Sequence, residues 1–286
     1  MLKIAVFPNF QKKNAVYCAR AVCEILKDEA ELYIDRKYKS EFHDKKWVNF
    51  GDFYDIVKNM DIIMAIGGDG TILRCARYMK GCKAELLGIN TGTLGFMASL
   101  EINQLFSLKN LAEHKYTVRK RMMLDICICG SDDKKISCWE ALNDVTVSRT
   151  YSKIFDFDIY ADTFRLGGYR ADGVVFSTPT GSTAYALSAG GPVIEPDLEC
   201  IEMNLICPHS LFTRPMIFSR DRVIKTVPLT ENADIYISVD GNEPVVLEKN
   251  QYIMIKKSEY SINLIDMHDN TFFNSLNKKL VNSVKK

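Results

Sequence analysis

Between residues 15 and 26 the apolar positions Val16, Ala19, Val22, Cys23 and Leu26 recur every three to four residues, a spacing that predicts a helix with one buried face. Shorter apolar runs flank it at residues 2–7, 31–34, 61–66 and 85–90, each of strand length. A short helix is expected at 53–58 and a longer one at 72–79, directly after Gly70. Strands that alternate with helices argue for a parallel, doubly wound sheet with helices on its faces. A last clear helix is read at 102–114.

Beyond about residue 100 the period changes. Residues 116–129, 136–148, 154–160 and 174–177 are extended in character, rich in β-branched and aromatic side chains. Residues 234–239, 245–247, 252–256 and 261–265 continue the pattern, with Asp240-Gly241-Asn242 as a hairpin turn. The expected fold is therefore an α/β N-terminal domain over 1–100 and a β-rich C-terminal domain over 101–265. The tail, about 266–286, is basic and weakly amphipathic. It reads either as a segment packed back on the first domain or as a solvated, frayed end.

Composition narrows the function classes. Of 286 residues 47% are hydrophobic and 26% charged, which permits a real core. Lys and Arg total 37 against 36 Asp and Glu, so no bulk charge favours nucleic acid or a membrane surface. The apolar start is too short for a signal peptide and reads as a first strand, and no segment is long enough to span a bilayer. A cytoplasmic protein is expected. The nine cysteines are an odd number scattered through apolar runs, which fits reduced thiols better than a disulfide framework. With no C-x-x-C pair and four dispersed histidines, no structural zinc site is expected and metal ligands stay unassigned.

Four segments carry candidate chemistry. Gly67-Gly68-Asp69-Gly70-Thr71 lies between a buried strand and a helix, where backbone amides and the helix start can hold phosphate. Asp69 would repel phosphate in a pure anion cradle, so it points to chemistry on a phosphate: a metal bridge or a partner for an attacking hydroxyl. Leu73 stands where a G-x-G-x-x-G loop has its third glycine, and no G-x-x-x-x-G-K-[ST] run exists. The second segment, Asn90 to Phe96, follows another strand and could face the same crevice, with Phe96 either an aromatic wall or core. The third, Asn143-Asp144, is polar inside a strand-like run. Both side chains reach one ligand only if the strand bends or ends there, and a turn is the alternative. The fourth runs from Tyr169 to Pro192, a strand followed by a hydroxyl- and glycine-rich loop and a short Ala-rich helix. Capping by Ser182 or Thr183 explains one or two of its residues but not the whole run.

With these segments in their order, the chain resembles the NAD kinase family. Residues 67–71 match its GGDGT motif, a loop shared with diacylglycerol, sphingosine and phosphofructo-kinases. Residues 172–192 are similar to its long D-G-x-x-x-S-T-P-T-G-S-T-A-Y…S-A-G-G-P signature, which is the specific one, and Cys207-Pro208-His209-Ser210-Leu211 with Arg214-Pro215 looks like a further family segment. The resemblance implies phosphoryl transfer from ATP, or polyphosphate, to the 2′-hydroxyl of the adenosine ribose of NAD, giving NADP. It implies a divalent metal, most simply Mg²⁺, and a homodimer or homotetramer, with no nucleic-acid or membrane partner.

Residue by residue, Asp69 matches the catalytic acid, and Gly67, Gly68, Gly70 and Thr71 the phosphate loop. Phe96 resembles the wall of the adenosine pocket. Thr183, Ala184, Tyr185 and Ser188 match residues that contact NAD, and Thr180 in the same run is counted with them. Asp172 matches an acid near the cofactor's other half. Asn143-Asp144 stands where many members have Asn-Glu, so Asp144 keeps the charge with one methylene less reach. Arg170 is read either as a phosphate contact, across the cleft or a subunit interface, or as a surface ion pair. A non-catalytic nucleotide-binding regulator on the same scaffold, or a lipid or sugar kinase with the shared loop, are the alternatives.

Overall fold

A computed structural model of the chain describes all residues except 93–94, 151–152, 211–212, 230–233, 269–270 and 282–286. Thr93 and Leu94 of the second segment, Leu211, and the last five residues of the tail therefore lie outside the described residues. The chain forms two compact units, Met1–Lys120 with Ile262–Lys286, and Arg121–Ser261. No helix among the described residues is long and apolar enough to cross a membrane.

The first unit is built from β1 (Leu2–Pro8), α1 (Ala15–Leu26), β2 (Ala30–Asp35), β3 (Val48–Gly51), α2 (Phe53–Ile56), β4 (Ile62–Gly67), α3 (Asp69–Tyr78), β5 (Glu85–Asn90) and the short β6 (Leu100–Glu101). β3, β2, β1, β4 and β5 lie side by side in that order, all parallel. The alternation of each strand separates two faces. Ile4, Val6, Met64 and Ile66 face the buried stripe of α1, including Ala19, Val22 and Leu26, in one hydrophobic cluster. Phe7 turns the other way, its ring 4.5 Å from that of Phe53, and Gly88 leaves room for Ile72 of α3, whose Cδ1 would be 2.4 Å from a Cβ there. Helices thus cover both faces, the doubly wound arrangement that the alternating runs predict.

One expected helix differs. Residues Ile102–Leu111 form 3₁₀ turns rather than an α-helix. Their buried apolar positions Leu105, Leu108 and Leu111 repeat every three residues, the period of a 3₁₀ rather than an α-helix.

The second unit takes its strands from β7 (Thr117–Cys129), β8 (Lys135–Ala141), β9 (Asp144–Arg149), β10 (Phe155–Ala161), β11 (Phe164–Ala171), β12 (Gly173–Ser177), β13 (Cys200–Ile206), β14 (Met216–Ser219), β15 (Ile224–Pro228), β16 (Ile235–Val239), β17 (Val245–Leu247) and β18 (Tyr252–Asp266), with one short helix, α4 (Tyr185–Ser188). Six of these make an antiparallel sheet in the order β14-β13-β12-β9-β16-β17. Its inward residues Val145, Val147, Val174, Phe176 and Met203 share a core with Phe155, Phe157, Ile224 and Ile253 from the neighbouring strands. The run at 136–148 is two strands, parted at Leu142 and Asn143, while 252–265 is one long strand, β18, which ends in the first unit. There it pairs in parallel with β5, and α5 (Thr271–Leu276) follows it.

The thiol expectation is corrected at one place. Antiparallel pairing sets Cys127 of β7 directly opposite Cys138 of β8, and the two form a disulfide. The other seven cysteines are free. Cross-strand register, invisible in one-dimensional spacing, made the pair.

Candidate active site

In the sheet of the first unit the strand order reverses between β1 and β4. The crevice outside the carboxyl ends of two such strands is where open α/β sheets bind ligands. Asn9, Lys12 and Lys13 follow β1, and residues 67–71 follow β4. Together with Asn90, Thr91, Gly92, Gly95 and Lys279 they line a cavity of about 490 Å³. The glycine loop and the segment after β5 therefore share one crevice.

The glycines of the loop are not alike. At Gly67 a Cβ would lie 2.1 Å from the Thr71 hydroxyl, so a packed side chain demands glycine there. Thr71 is buried, and its hydroxyl accepts from the Asn9 side-chain amide at 3.3 Å. Gly68 and Gly70 would meet nothing within 4 Å and border the cavity. Packing does not require glycine at these two; side chains there would fill space that a ligand could use. Gly68 precedes α3, a ten-residue helix whose first residue is Asp69; the Thr71 and Ile72 amides donate to the Gly68 carbonyl at 2.8 and 3.2 Å, and the helix start borders the crevice.

Asp69 does not cap its own helix. Its carboxylate accepts from the backbone amides of Phe96 at 2.8 Å and Met97 at 3.2 Å. Hydrogen bonds to a charged group are worth about 1.5–3 kcal/mol each, enough to hold the carboxylate in one orientation. Gly95 makes this approach possible: a Cβ there would sit 1.9 Å from the Asp69 Oδ1. Phe96 itself is half-buried. Its ring lies 6.2 Å from that of Phe272, and the Lys279 Nζ lies 4.5 Å from its centroid.

In the second unit, Asn143, Asp144, Thr180 and Thr183 come together where β9 begins and β12 ends. Ser177 pairs with Asp144 across the two strands. The following turn packs on Asn143, whose carbonyl accepts from the Thr178 amide at 2.8 Å. Gly181 crosses so closely that a Cβ would lie 2.1 Å from the same carbonyl. Ser182 is structural, donating to the Pro179 carbonyl at 2.8 Å and accepting from the Ile194 amide at 2.9 Å. Asn143 Oδ1 and Thr180 Oγ1, by contrast, are buried without a partner. Such atoms cost about 1–3 kcal/mol each until something bonds them. Ala184 is half-buried, and Tyr185 and Ser188 are exposed on the short helix that follows.

Asp144 is buried, and its carboxyl is pushed up to about 7 by burial, with the neighbouring Asp240 carboxylate adding to the effect. Asp240 was legible only as a turn residue. It occupies the left-handed region at φ 49, and its carboxylate accepts from the amides of Leu142, Asn143 and Asp144 at 2.9, 2.8 and 3.1 Å. Those three bonds replace the ladder that the chain loses between β8 and β9, and they explain why the strand breaks there.

Arg170 and Asp172 lie elsewhere. Arg170 lies in β11 and Asp172 just before β12, so the six steps of about 3.3 Å from Asp172 to Thr178 span roughly 20 Å. Arg170 is exposed, 4.0 Å from Asp156. A larger groove of about 1240 Å³, lined by Lys225, Glu248 and Tyr252 among others, contains none of the predicted residues. Volume alone does not locate the chemistry.

Comparison with known proteins shows the family. Residues 4–116 match the ATP-NAD kinase N-terminal domain and residues 142–267 the ATP-NAD kinase C-terminal domain. An NAD kinase from a Thermoanaerobacter species is 37% identical over 98% of this chain and 99% of its own. One from Clostridium perfringens is 35% identical over 91% and 90%. Among solved structures, an NAD kinase from Archaeoglobus fulgidus in complex with ATP superposes with a TM-score of 0.71 at 28% identity, covering 98% of each chain. A yeast NADH kinase complexed with NADH shares the fold at a TM-score of 0.90 and 24% identity, covering 98% of this chain and 88% of its own. Both halves of the chain are matched in order and full-length relatives share over a third of its residues: the chain belongs to the ATP-NAD kinase family.

Proposed function

We propose that the chain transfers the terminal phosphoryl group of ATP to the 2′-hydroxyl of the adenosine ribose of NAD, with Asp69 as the acid that engages that hydroxyl. The observation that carries this reading is the Asp69 carboxylate, held by the Phe96 and Met97 amides at the edge of a glycine-lined cavity. An electrostatically empty cradle would not hold a carboxylate there.

In the reaction the ribose oxygen forms a bond to the terminal phosphorus while the bond from that phosphorus to the bridging oxygen breaks, releasing ADP. A carboxylate is a far weaker base than a sugar alkoxide, so it does not strip the hydroxyl beforehand. Little nucleophile activation is needed in a loose transition state. Asp69 therefore orients the hydroxyl by accepting its hydrogen bond, and takes the proton late. The positive start of α3, at residues 68–71, stabilises phosphate charge.

Among the described residues no group of three or more His, Cys, Asp or Glu is placed to hold a metal. Asp69 is the one carboxylate among the residues lining the cavity. That donor set fits Mg²⁺ carried mainly by the donor phosphates and water, with Asp69 as its protein contact. A bound Mg²⁺ would neutralise charge on the transferring phosphates.

For NAD we assign Asn143 and Thr180, whose buried oxygens lack partners, to donors of the nucleotide. Asp144 takes ribose hydroxyls, Phe96 flanks the adenosine, and Thr183, Ala184, Tyr185 and Ser188 complete the contacts. Arg170 and Asp172 serve the cofactor's other half in a homo-oligomer. Polyphosphate is the alternative donor, and a cytoplasmic location follows from the substrates.

A donor-by-acceptor matrix on purified protein tests the reading: ATP or polyphosphate against NAD, NADH, diacylglycerol and fructose 6-phosphate, with Mg²⁺. NADP formation from ATP and NAD is expected. Binding of NAD without any turnover would favour a regulator instead.

A further inference from the structure

The tail that sequence left as a possible solvated end supplies a residue to the phosphate cavity. β18 brings the chain back into the first unit, where α5 and the turn at Asn277–Val281 follow. The Phe272 ring seats this segment, 6.2 Å from the Phe96 ring, while Lys278 Nζ makes only a surface ion pair, 3.7 Å from a Glu101 carboxylate oxygen. Ser275 is buried. Lys279 then lines the cavity with residues 67–71 and 90–92.

Three lysines border this cavity, against the single carboxylate of Asp69. Lys12 and Lys13 are exposed on the loop after β1. Lys279 is different. It is half-buried, and its ammonium stands 4.5 Å from the centroid of the Phe96 ring. A ring face attracts a cation and restricts where the chain end can carry it. The same Phe96 donates its backbone amide to the Asp69 carboxylate at 2.8 Å. One residue thus orients the acid with its amide and the tail's cation with its ring. Among the described residues Lys279 makes no ion pair, so its charge is not spent on a carboxylate.

We infer that Lys279 is a phosphate-binding residue of the reaction: its ammonium holds the polyphosphate chain of the donor in the cavity, placing the terminal phosphate beside Asp69. A flexible stem with three donors suits a phosphate that must move from bound to transferring geometry. The inference rests on the kinase reading, and it gives the C-terminal segment a part in donor recognition.

The test uses the full chain with Lys279→Met, Lys279→Arg and, as a control on the same turn, Lys278→Met. Steady-state kinetics give separate KM values for ATP and NAD. Calorimetry with inorganic tripolyphosphate measures binding without turnover. Loss of a hydrogen bond to a charged group corresponds to at least about tenfold in affinity. Lys279→Met is expected to raise the KM for ATP and weaken tripolyphosphate binding by about that factor or more, with the KM for NAD and the melting temperature unchanged. Lys279→Arg should recover most of the loss, and Lys278→Met should resemble the parent. Equal tripolyphosphate binding by the parent and Lys279→Met overturns the inference. So does a lowered melting temperature with both KM values raised in the Met and Arg variants alike, which would mark a structural role. If the parent makes no NADP, the kinase reading falls, while the tripolyphosphate comparison still decides whether Lys279 binds phosphate.

Discussion

The Phe96 amide donates to the Asp69 carboxylate across 26 intervening residues, at 2.8 Å, and so ties the segment after β5 to the first turn of α3. The acid is held in place by backbone before any substrate arrives. Asp69→Asn keeps the size and one acceptor oxygen but removes the charge and the proton acceptor. Turnover should fall by about 10²–10⁴, the usual contribution of a positioned acid or base, while NAD binding persists. Rapid-quench measurement of NADP formation beside calorimetric NAD titration checks this; near-parental turnover would remove Asp69 from the mechanism.

Gly95 gives an independent handle on the same carboxylate. A Cβ at this position would overlap Asp69 Oδ1 at 1.9 Å, so Gly95→Ala must push the carboxylate aside. The variant should lose most turnover, and it should melt lower than the parent because the displaced carboxylate gives up its bonds to the Phe96 and Met97 amides. Parental kcat in Gly95→Ala would show that the amide clamp is dispensable.

Asp144 predicts a pH dependence. Its carboxyl titrates at about 7 in the fold, against about 3.9 when unfolded. A raised acid contributes stability that is fully present below the unfolded value and is lost as pH rises through the folded one. Between pH 4 and 7 this group lowers stability by at most about 1.4 kcal/mol per pH unit. Ribose hydroxyls bond best to the ionised form, so NAD affinity should rise from pH 6 to 8, and binding should release protons. Calorimetry in buffers of differing ionisation heat counts them. Asp144→Asn should flatten the pH profile, and an unflattened profile would assign it to another group.

A second buried acid has no place in the proposed chemistry. Glu202, fully buried, accepts from the Ser177 hydroxyl at 2.9 Å and the Asn204 side-chain amide at 2.7 Å. Burial raises its carboxyl above the ordinary range. Its stability contribution is therefore present at acid pH and lost as pH rises toward the folded value. Glu202→Gln keeps the shape, and the Ser177 hydroxyl can turn to accept. The variant should melt higher than the parent at pH 8, with the difference shrinking at pH 5. A difference that is constant with pH would mean that Glu202 binds the same number of protons folded and unfolded, so that burial does not raise its carboxyl.

Local pattern was enough for several features. The period at residues 15–26, the buried run before Gly67 and the Leu73 that stands where a G-x-G-x-x-G loop has its third glycine are properties of neighbouring residues, and they defined an α/β unit with a loop for phosphate chemistry. The hydroxyl-rich run from Thr178 to Tyr185 was likewise visible, because a ligand's polar edge needs many small donors in one turn. Other features depend on residues that meet only after folding. Cys127 and Cys138 are joined by strand register. Asp240 reaches back 96 residues to bond the Asp144 amide and break a strand. Gly95 is required by Asp69, and Gly181 by Asn143, through backbone approaches that leave no periodic trace. Lys279 lies in a basic, weakly amphipathic tail whose composition does not say whether it packs back on the first unit or frays into solvent. Adjacent residues establish helix, strand and turn through local sterics and burial. The partners of a carboxylate or an ammonium are decided by where distant segments come to rest, and there the tertiary structure alone decides.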